Sequence, residues 1–142
     1  MLRPRHKEKL MIQVTIGDRD GYLWLTMEGH AGTAPKGQDI VCAAATMLMY
    51  TIAQAALDMG SRGELRGPPS VMLDDGNAGV SFRPKEEAME KGRLVLDVIR
   101  RGLEVLWKRY PENVAIYVIG NGESRGYTEE SRAEPADMEP RA

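Results

Sequence analysis

The segment from Gly29 to Thr46 holds the residue types that nucleophilic chemistry requires. It contains Cys42, the only cysteine of the chain, and His30, the only histidine outside the charged N-terminal segment. A thiolate attacks a carbonyl carbon, and a neighbouring imidazole can both activate the thiol and protonate the departing amine. The segment therefore indicates a Cys-His pair whose two members must be brought together by the fold.

Asp39 is predicted to be the N-cap of a helix that contains Cys42. Its carboxylate would accept the backbone N–H of Val41 or Cys42. Cys42 would then lie in the first helical turn, where unpaired N–H groups and the positive end of the helix dipole favour a thiolate and could hold an oxyanion. The negative charge of Asp39 would disfavour the thiolate, and the sequence alone does not determine whether this charge or the helix terminus has the larger effect.

The helix predicted from Asp39 to about Met59 has an apolar stripe, and Cys42 lies beside it. At about 100° per residue, one face collects Val41, Ala45, Leu48, Met49, Ile52 and Ala56. Cys42 lies roughly 80° from the centre of that face. An edge position suits a residue at the mouth of a cleft better than one in the middle of a core.

Each of these residues also has a plainer interpretation. A lone cysteine in an apolar helix is usually a small core residue, and a histidine at a strand end is more often a surface residue. Thr46 would most simply donate its hydroxyl hydrogen to the carbonyl of Cys42, one turn earlier. His6 is interpreted as idle in a charged tail. The sequence has no His/Cys pair at zinc-ligand spacing, and the glycine-rich run 120–126 lacks the Lys-Ser/Thr of a phosphate-binding loop.

Composition narrows the class of protein. The chain has 142 residues, which predicts one domain, and its 19 basic and 21 acidic residues give a net charge of -2. Because a nucleic-acid binder normally shows a basic face, no direct nucleic-acid binding is expected. Residues 1–10 lack the apolar core of a signal peptide, so the cytoplasm is the expected location. The uncharged stretch Ile40 to Leu57 is interpreted as a core helix, with no membrane span expected.

Hydrophobic periodicity predicts the order ββαββαβ, an α+β fold in which a single sheet has two helices packed on it. The second helix is predicted over about Lys85 to Tyr110, with Val95, Val98, Ile99 and Leu106 on one face. The predicted elements are strands at 11–16, 22–27, 70–73, 79–82 and 114–119, with helices at 39–59 and 85–110. The domain is expected to span residues 11–120, between a mobile basic tail at 1–10 and a mobile acidic tail at 121–142.

The motif residues resemble the Prp family of bacterial cysteine proteases. The match consists of Gly29-His30-Ala31, then Gly37, then the run Asp39-Ile-Val-Cys-Ala-Ala44. The interval of twelve residues from His30 to Cys42 is that of the family. The resemblance extends over about residues 11–119, and the extra residues 1–10 depart from it.

The resemblance implies roles for the motif residues. His30 and Cys42 would be the catalytic residues, with Asp39, Gly29, Gly37 and Thr46 in supporting positions. Thr46 stands where the family commonly has serine, so a hydroxyl is retained. No third member of a triad is identifiable, which leaves a dyad, and no residue is assigned to substrate binding. No metal or other cofactor is implied.

The resemblance also implies a substrate. Family members remove a short hydrophobic N-terminal extension from a precursor of a large-subunit ribosomal protein, and they are typically homodimers. Two alternatives stay open: a phage-type protease that processes capsid or scaffold protein, and a non-catalytic ribosome-assembly module of the same fold. The segment Ala31 to Gln38 is predicted to be a mobile lid, because Gly32 and Gly37 provide hinges at its ends.

Overall fold

The computed structural model describes residues 11–29, 36–120, 123–129 and 131, without the side chains of 36–39 and 123. These residues form six strands and two helices. The strands are β1 (Ile12–Arg19), β2 (Tyr22–Glu28), β3 (Ser70–Asp74), β4 (Asn77–Phe82), β5 (Val114–Gly120) and β6 (Glu123–Tyr127). The helices are α1 (Lys36–Ser61) and α2 (Met89–Arg109), the second preceded by a 3-10 turn at Glu86–Ala88. The predicted α+β fold, a single sheet with two helices packed on it, is confirmed.

The described strands form one mixed sheet in the order β3-β4-β2-β1-β5-β6. Strands β1 and β5 are parallel, and the other neighbouring pairs are antiparallel. The β1–β2 hairpin turns at Asp20-Gly21, where both residues have positive φ, and the β3–β4 hairpin turns at Asp75-Gly76. Both turns use the Asp-Gly pair that favours tight hairpins.

The core lies between the sheet and the two helices. Alternate residues of the central strands point into it, including Val14, Leu23, Leu25 and Ile116. Helix α1 contributes the predicted stripe, with Val41, Ala45, Met49, Ile52 and Ala56 buried and Leu48 packed against the cluster. Helix α2 buries Leu96, Ile99, Leu103, Leu106 and Trp107. Val98 does not share the buried face with Ile99 and Leu106 as its predicted grouping implied: it is 55% exposed, because it lies on the helix face opposite the sheet.

Helix α1 also has the composition of a membrane-spanning segment. Residues 40–61 have a peak mean hydropathy of 1.8, although only about a third of that window is buried in the protein. The same helix supplies Val41, Met49 and Ile52 to the core beneath the sheet. A core helix satisfies the length and composition test equally well, so the single segment is weak evidence for a membrane span.

Strand β6 corrects the predicted boundary of the C-terminal tail. The expected tail began at residue 121, yet Glu123–Tyr127 pairs antiparallel with β5. The strand was missed because Ser124, Arg125 and Gly126 give no apolar alternation. Its order comes from tertiary contacts: the rings of Tyr127 and Trp107 meet edge-on at 5.1 Å, and Trp107 Nε1 donates a hydrogen bond to the carbonyl of Thr128 at 3.0 Å.

The packing of Tyr127 predicts a loss of stability at alkaline pH. Burial raises the pKa of its hydroxyl above 10.0, and the nearby carboxylate of Glu104 adds to the effect. The folded state therefore holds the phenol proton more tightly than the unfolded state does. The stabilisation of the folded state that comes from this pKa difference is fully present below pH 10 and is lost as the pH rises through the pKa of Tyr127 in the folded protein. Urea unfolding of wild type and Tyr127→Phe from pH 8 to 11 should show a steeper decline in wild type; parallel curves would contradict the prediction.

Candidate active site

Cys42 lies in the second turn of α1, half-buried and in contact with the core. The helix begins at Lys36, three residues before the predicted start, so the interpretation of Asp39 as the N-cap was wrong. Among the described residues of α1, the N–H groups without intrahelical acceptors are those of 36–38. Cys42 lies beyond them, and the predicted stabilisation of a thiolate and an oxyanion by first-turn amides does not apply at this position.

A cavity of about 350 Å³ opens beside Cys42. Helix α1 forms one wall with Cys42, Thr46, Met49 and Tyr50, and the end of β2 contributes Gly29. The structure thus brings together three of the residues singled out in the sequence: Gly29, Cys42 and Thr46. The edge position of Cys42 on the helix leads to the mouth of a cleft, as the helical wheel predicted.

The far wall of the cavity is the β3–β4 hairpin, which sequence reasoning did not connect with the site. Leu73 at the end of β3 and the residues 74–78 of the turn line it. The hairpin itself was predicted, but nothing local in its sequence indicates that it faces Cys42. The contact arises because β4 pairs with β2, whose end leads directly into the motif.

Gly29 is fixed at this corner by its backbone. Its φ is +96°, and a Cβ atom at this position would lie 2.5 Å from the carbonyl oxygen of Met11. Its N–H donates a hydrogen bond to the carbonyl of Gly76 at 3.0 Å, which joins the end of β2 to the hairpin turn. Only glycine accommodates both the left-handed conformation and the close backbone approach.

The remaining motif residues are described only in part. His30 and the segment 31–35, most of the predicted lid, lie outside the described residues. Positions 36–38 of that predicted lid belong to α1, so this part of the prediction was wrong. Gly37 is in the first turn of the helix, and the side chain of Asp39 lies outside the description.

Thr46 and Tyr50 form the solvent-facing rim of the cavity. Among the described residues of α1, the hydroxyl that donates a hydrogen bond to the carbonyl one turn earlier is that of Thr51, which bonds to Met47 at 2.7 Å. Thr46 instead faces the cavity one turn after Cys42. Among the described residues, no group of three or more His, Cys, Asp or Glu side chains is placed to hold a metal ion.

Known proteins share both the sequence pattern and the fold. A ribosomal processing cysteine protease Prp from Bacillus subtilis is 31% identical over 114 residues, which cover 75% of this chain and 96% of that protein. The protein of the same name from Staphylococcus aureus is 23% identical over 107 residues, with the same coverage.

Solved structures extend the comparison. The protein SMU.848 from Streptococcus mutans superimposes with a TM-score of 0.60 at 27% identity, covering 78% of this chain and 96% of that one. The S. aureus protease Prp, solved in complex with a substrate peptide, has a TM-score of 0.58 at 25% identity, covering 76% and 99% of the two chains.

The family profile described as cysteine protease Prp matches residues 11–115. This match includes every strand and helix from β1 to α2 and all the motif residues. The chain therefore belongs to the Prp family of cysteine proteases.

Proposed function

We propose that this protease removes a short N-terminal extension from a large-subunit ribosomal protein precursor, with Cys42 as nucleophile and His30 as its proton-transfer partner. The relatives named as ribosomal processing proteases support the substrate, and the observation that carries the catalytic part of the proposal is that Cys42 and Gly29 line one cavity. His30 is covalently attached to Gly29, and consecutive Cα atoms are about 3.8 Å apart. The cavity that Cys42 borders is thus also lined by the residue that directly precedes His30 in the sequence.

The chemistry follows from these two side chains. His30 takes the thiol proton, and the sulfur of Cys42 attacks the scissile carbonyl carbon to form a tetrahedral intermediate. Collapse of the intermediate breaks the C–N bond, the imidazolium protonates the departing amine, and a thioester is left on Cys42. Water, deprotonated by His30, then attacks the thioester and releases the carboxylate product and the thiol.

The cavity suits an apolar segment of a peptide. Its apolar floor is formed by Ile12, Met27 and Ala45, next to Met49 of the helix wall, and Leu73 closes the hairpin side. Peptide side chains bind such a floor by removing apolar surface from water. The S. aureus relative was solved with a substrate peptide, which supports a peptide ligand for this chain as well.

The direct test is cleavage of a full-length ribosomal precursor from the same genome. The expected product has lost its N-terminal extension by intact-mass measurement, and the released peptide identifies the scissile bond. A phage capsid or scaffold precursor, incubated in parallel, tests the alternative substrate. Cleavage of the phage protein alone would replace the ribosomal assignment, and cleavage of neither would favour the non-catalytic assembly module.

The cavity assignment predicts a selective effect at Leu73. Leu73→Gln should raise KM about tenfold, because a lost apolar contact costs about 1–2 kcal/mol of binding. The free energy of unfolding should hardly change, since Leu73 is 43% exposed. Met72→Gln is the matched control, because Met72 is 44% exposed on the other face of the same strand, outside the cavity lining. Equal KM values for the two variants would contradict the assignment.

The proposal includes a cytoplasmic homodimer, as the family resemblance implies. Exposed apolar side chains on the outer helix faces support it, namely Met47, Tyr50 and Leu57 of α1 and Leu94, Val98 and Val105 of α2. Light scattering should give twice the chain mass of 15.7 kDa. Val98→Glu should shift the protein to the monomer if this surface forms the interface.

A further inference from the structure

The sheet face opposite the helices carries an aromatic and basic groove that the proteolytic site does not use. Its volume is about 660 Å³, larger than that of the cavity at Cys42. It is lined by Arg19, Tyr22, Trp24, Met72, Ser81 and Arg83, and this set is called the open-face groove below. No described helix packs on this face, because both helices lie on the core side.

Strand register places the groove residues in rows across the sheet. Arg19 of β1 pairs with Tyr22 of β2, and in the next row Gly17, Trp24 and Ser81 are partners across three strands. Tyr22 and Trp24 are two residues apart, so both rings project from the same face. Their centroids are 5.5 Å apart, at an interplanar angle of 38°.

Gly17 lets the indole lie flat against the sheet. A Cβ atom at Gly17 would come within 2.0 Å of the Trp24 ring. The ring therefore occupies the space above a residue without a side chain. The result is a broad aromatic surface formed by Tyr22, which is 41% exposed, and Trp24.

Arg19 and Arg83 line the groove beside this aromatic surface, and Arg66 lines an adjoining hollow together with Tyr22 and Arg83. The guanidinium of Arg83 lies over the ring of Tyr22, 5.5 Å from its centroid. Arg66 is joined to the same edge by a hydrogen bond from its backbone N–H to the carbonyl of Arg83 at 2.8 Å. The ion pairs of the described residues involve the carboxylates of Asp18, Glu64, Asp97 and Glu104, and none of them includes Arg19, Arg66 or Arg83. Asp20 is the acidic residue described in the groove lining.

We infer that the open-face groove binds single-stranded nucleic acid. Two neighbouring aromatic rings on an exposed sheet face can stack successive bases, and arginines at their edge can contact the phosphates. An acidic peptide would use the arginines but not the flat rings, and a duplex hides the faces of its bases. The net charge of -2 for the whole chain does not conflict with this, because it sums distant charges and does not report a local group of three arginines. The inference does not depend on the proposed proteolysis.

The test is fluorescence anisotropy with a labelled single-stranded RNA of about twelve nucleotides, a length within the usual site sizes. Tyr22→Ala should weaken binding at least about fivefold, the loss expected for one stacked base. Arg83→Gln should weaken it and reduce the slope of log K against log salt by about 0.7. Arg109→Gln is the charge-matched control, since Arg109 is exposed at the end of α2, away from the groove, and should bind as wild type does.

The comparison ligands decide what is being recognised. Single-stranded DNA of the same length is also a single-stranded nucleic acid, so binding of either RNA or DNA supports the inference. Equal binding of duplex RNA or of an acidic peptide would overturn it and leave a general polyanion surface. Equal losses in Arg83→Gln and Arg109→Gln, or no binding of wild type at low salt, would also overturn it. Cys42→Ala should bind RNA as wild type does, which separates this result from the fate of the protease assignment.

Discussion

Replacing Cys42 with alanine is expected to lower precursor cleavage by at least about a thousandfold, because removal of a covalent nucleophile typically costs that much or more. Cys42→Ser should be nearly as inactive, since a hydroxyl is a much weaker nucleophile without a base system matched to it. The folded state should survive either change. Cys42 is only half-buried, so loss of its sulfur leaves a small gap at the edge of the core. Intact-mass assays and thermal unfolding of the same preparations measure both effects.

A relocated thiol provides the matched control for this experiment. The double variant Cys42→Ala/Ala43→Cys keeps one cysteine in the chain but moves it to the next helical position, which is exposed. A step of about 100° around the helix turns the sulfur away from the cavity. The double variant should therefore be as inactive as Cys42→Ala. Substantial cleavage by either variant would show that Cys42 is not the nucleophile.

The parts of this site that are local in sequence could be predicted, and the parts that depend on tertiary contacts could not. The apolar stripe of α1 indicated both the buried face and the edge position of Cys42, because helical periodicity is a local property. The far wall of the cavity required knowledge that β4 pairs with β2. No residue in Leu73 to Ala78 carries a signal for that pairing, so the hairpin was predicted without its role.

Two predicted boundaries were wrong because a local preference of the sequence does not fix where an element begins or ends. Helix α1 begins at Lys36, although Asp39 has the chemistry of a cap, because a capping residue favours a helix start by only about 1 kcal/mol and does not prevent the helix from extending further toward its N-terminus. Strand β6 forms from a polar sequence because it pairs with the edge of β5 and because the ring of its Tyr127 packs against the ring of Trp107. For β6 a local preference of about 1 kcal/mol was outweighed by contacts distant in sequence.

The second large effect is expected at Gly29, where Gly29→Ala should destabilise the protein by about 3 kcal/mol or more. A non-glycine residue at positive φ costs about 1–3 kcal/mol, and here the added Cβ would also collide with the backbone of β1. Its distance to the carbonyl oxygen of Met11 would be 2.5 Å, and a backbone atom cannot move aside as a flexible side chain can. The clash should displace the backbone at Gly29, the residue that directly precedes His30 in the sequence, so cleavage by the protein that remains folded should also fall. Urea unfolding and cleavage under strongly native conditions separate the two losses.

Gly63→Ala isolates the contribution of the collision. Gly63 also has a positive φ, +73°, but a Cβ atom there would meet no heavy atom within 4 Å. It should lose only about 1 kcal/mol, the cost of the backbone conformation alone, and keep full activity because it lies in the loop after α1. The difference between the two variants then measures the close approach of β1 to the end of β2. If both variants lost the same stability and Gly29→Ala kept wild-type cleavage, the corner at Gly29 would not position the site.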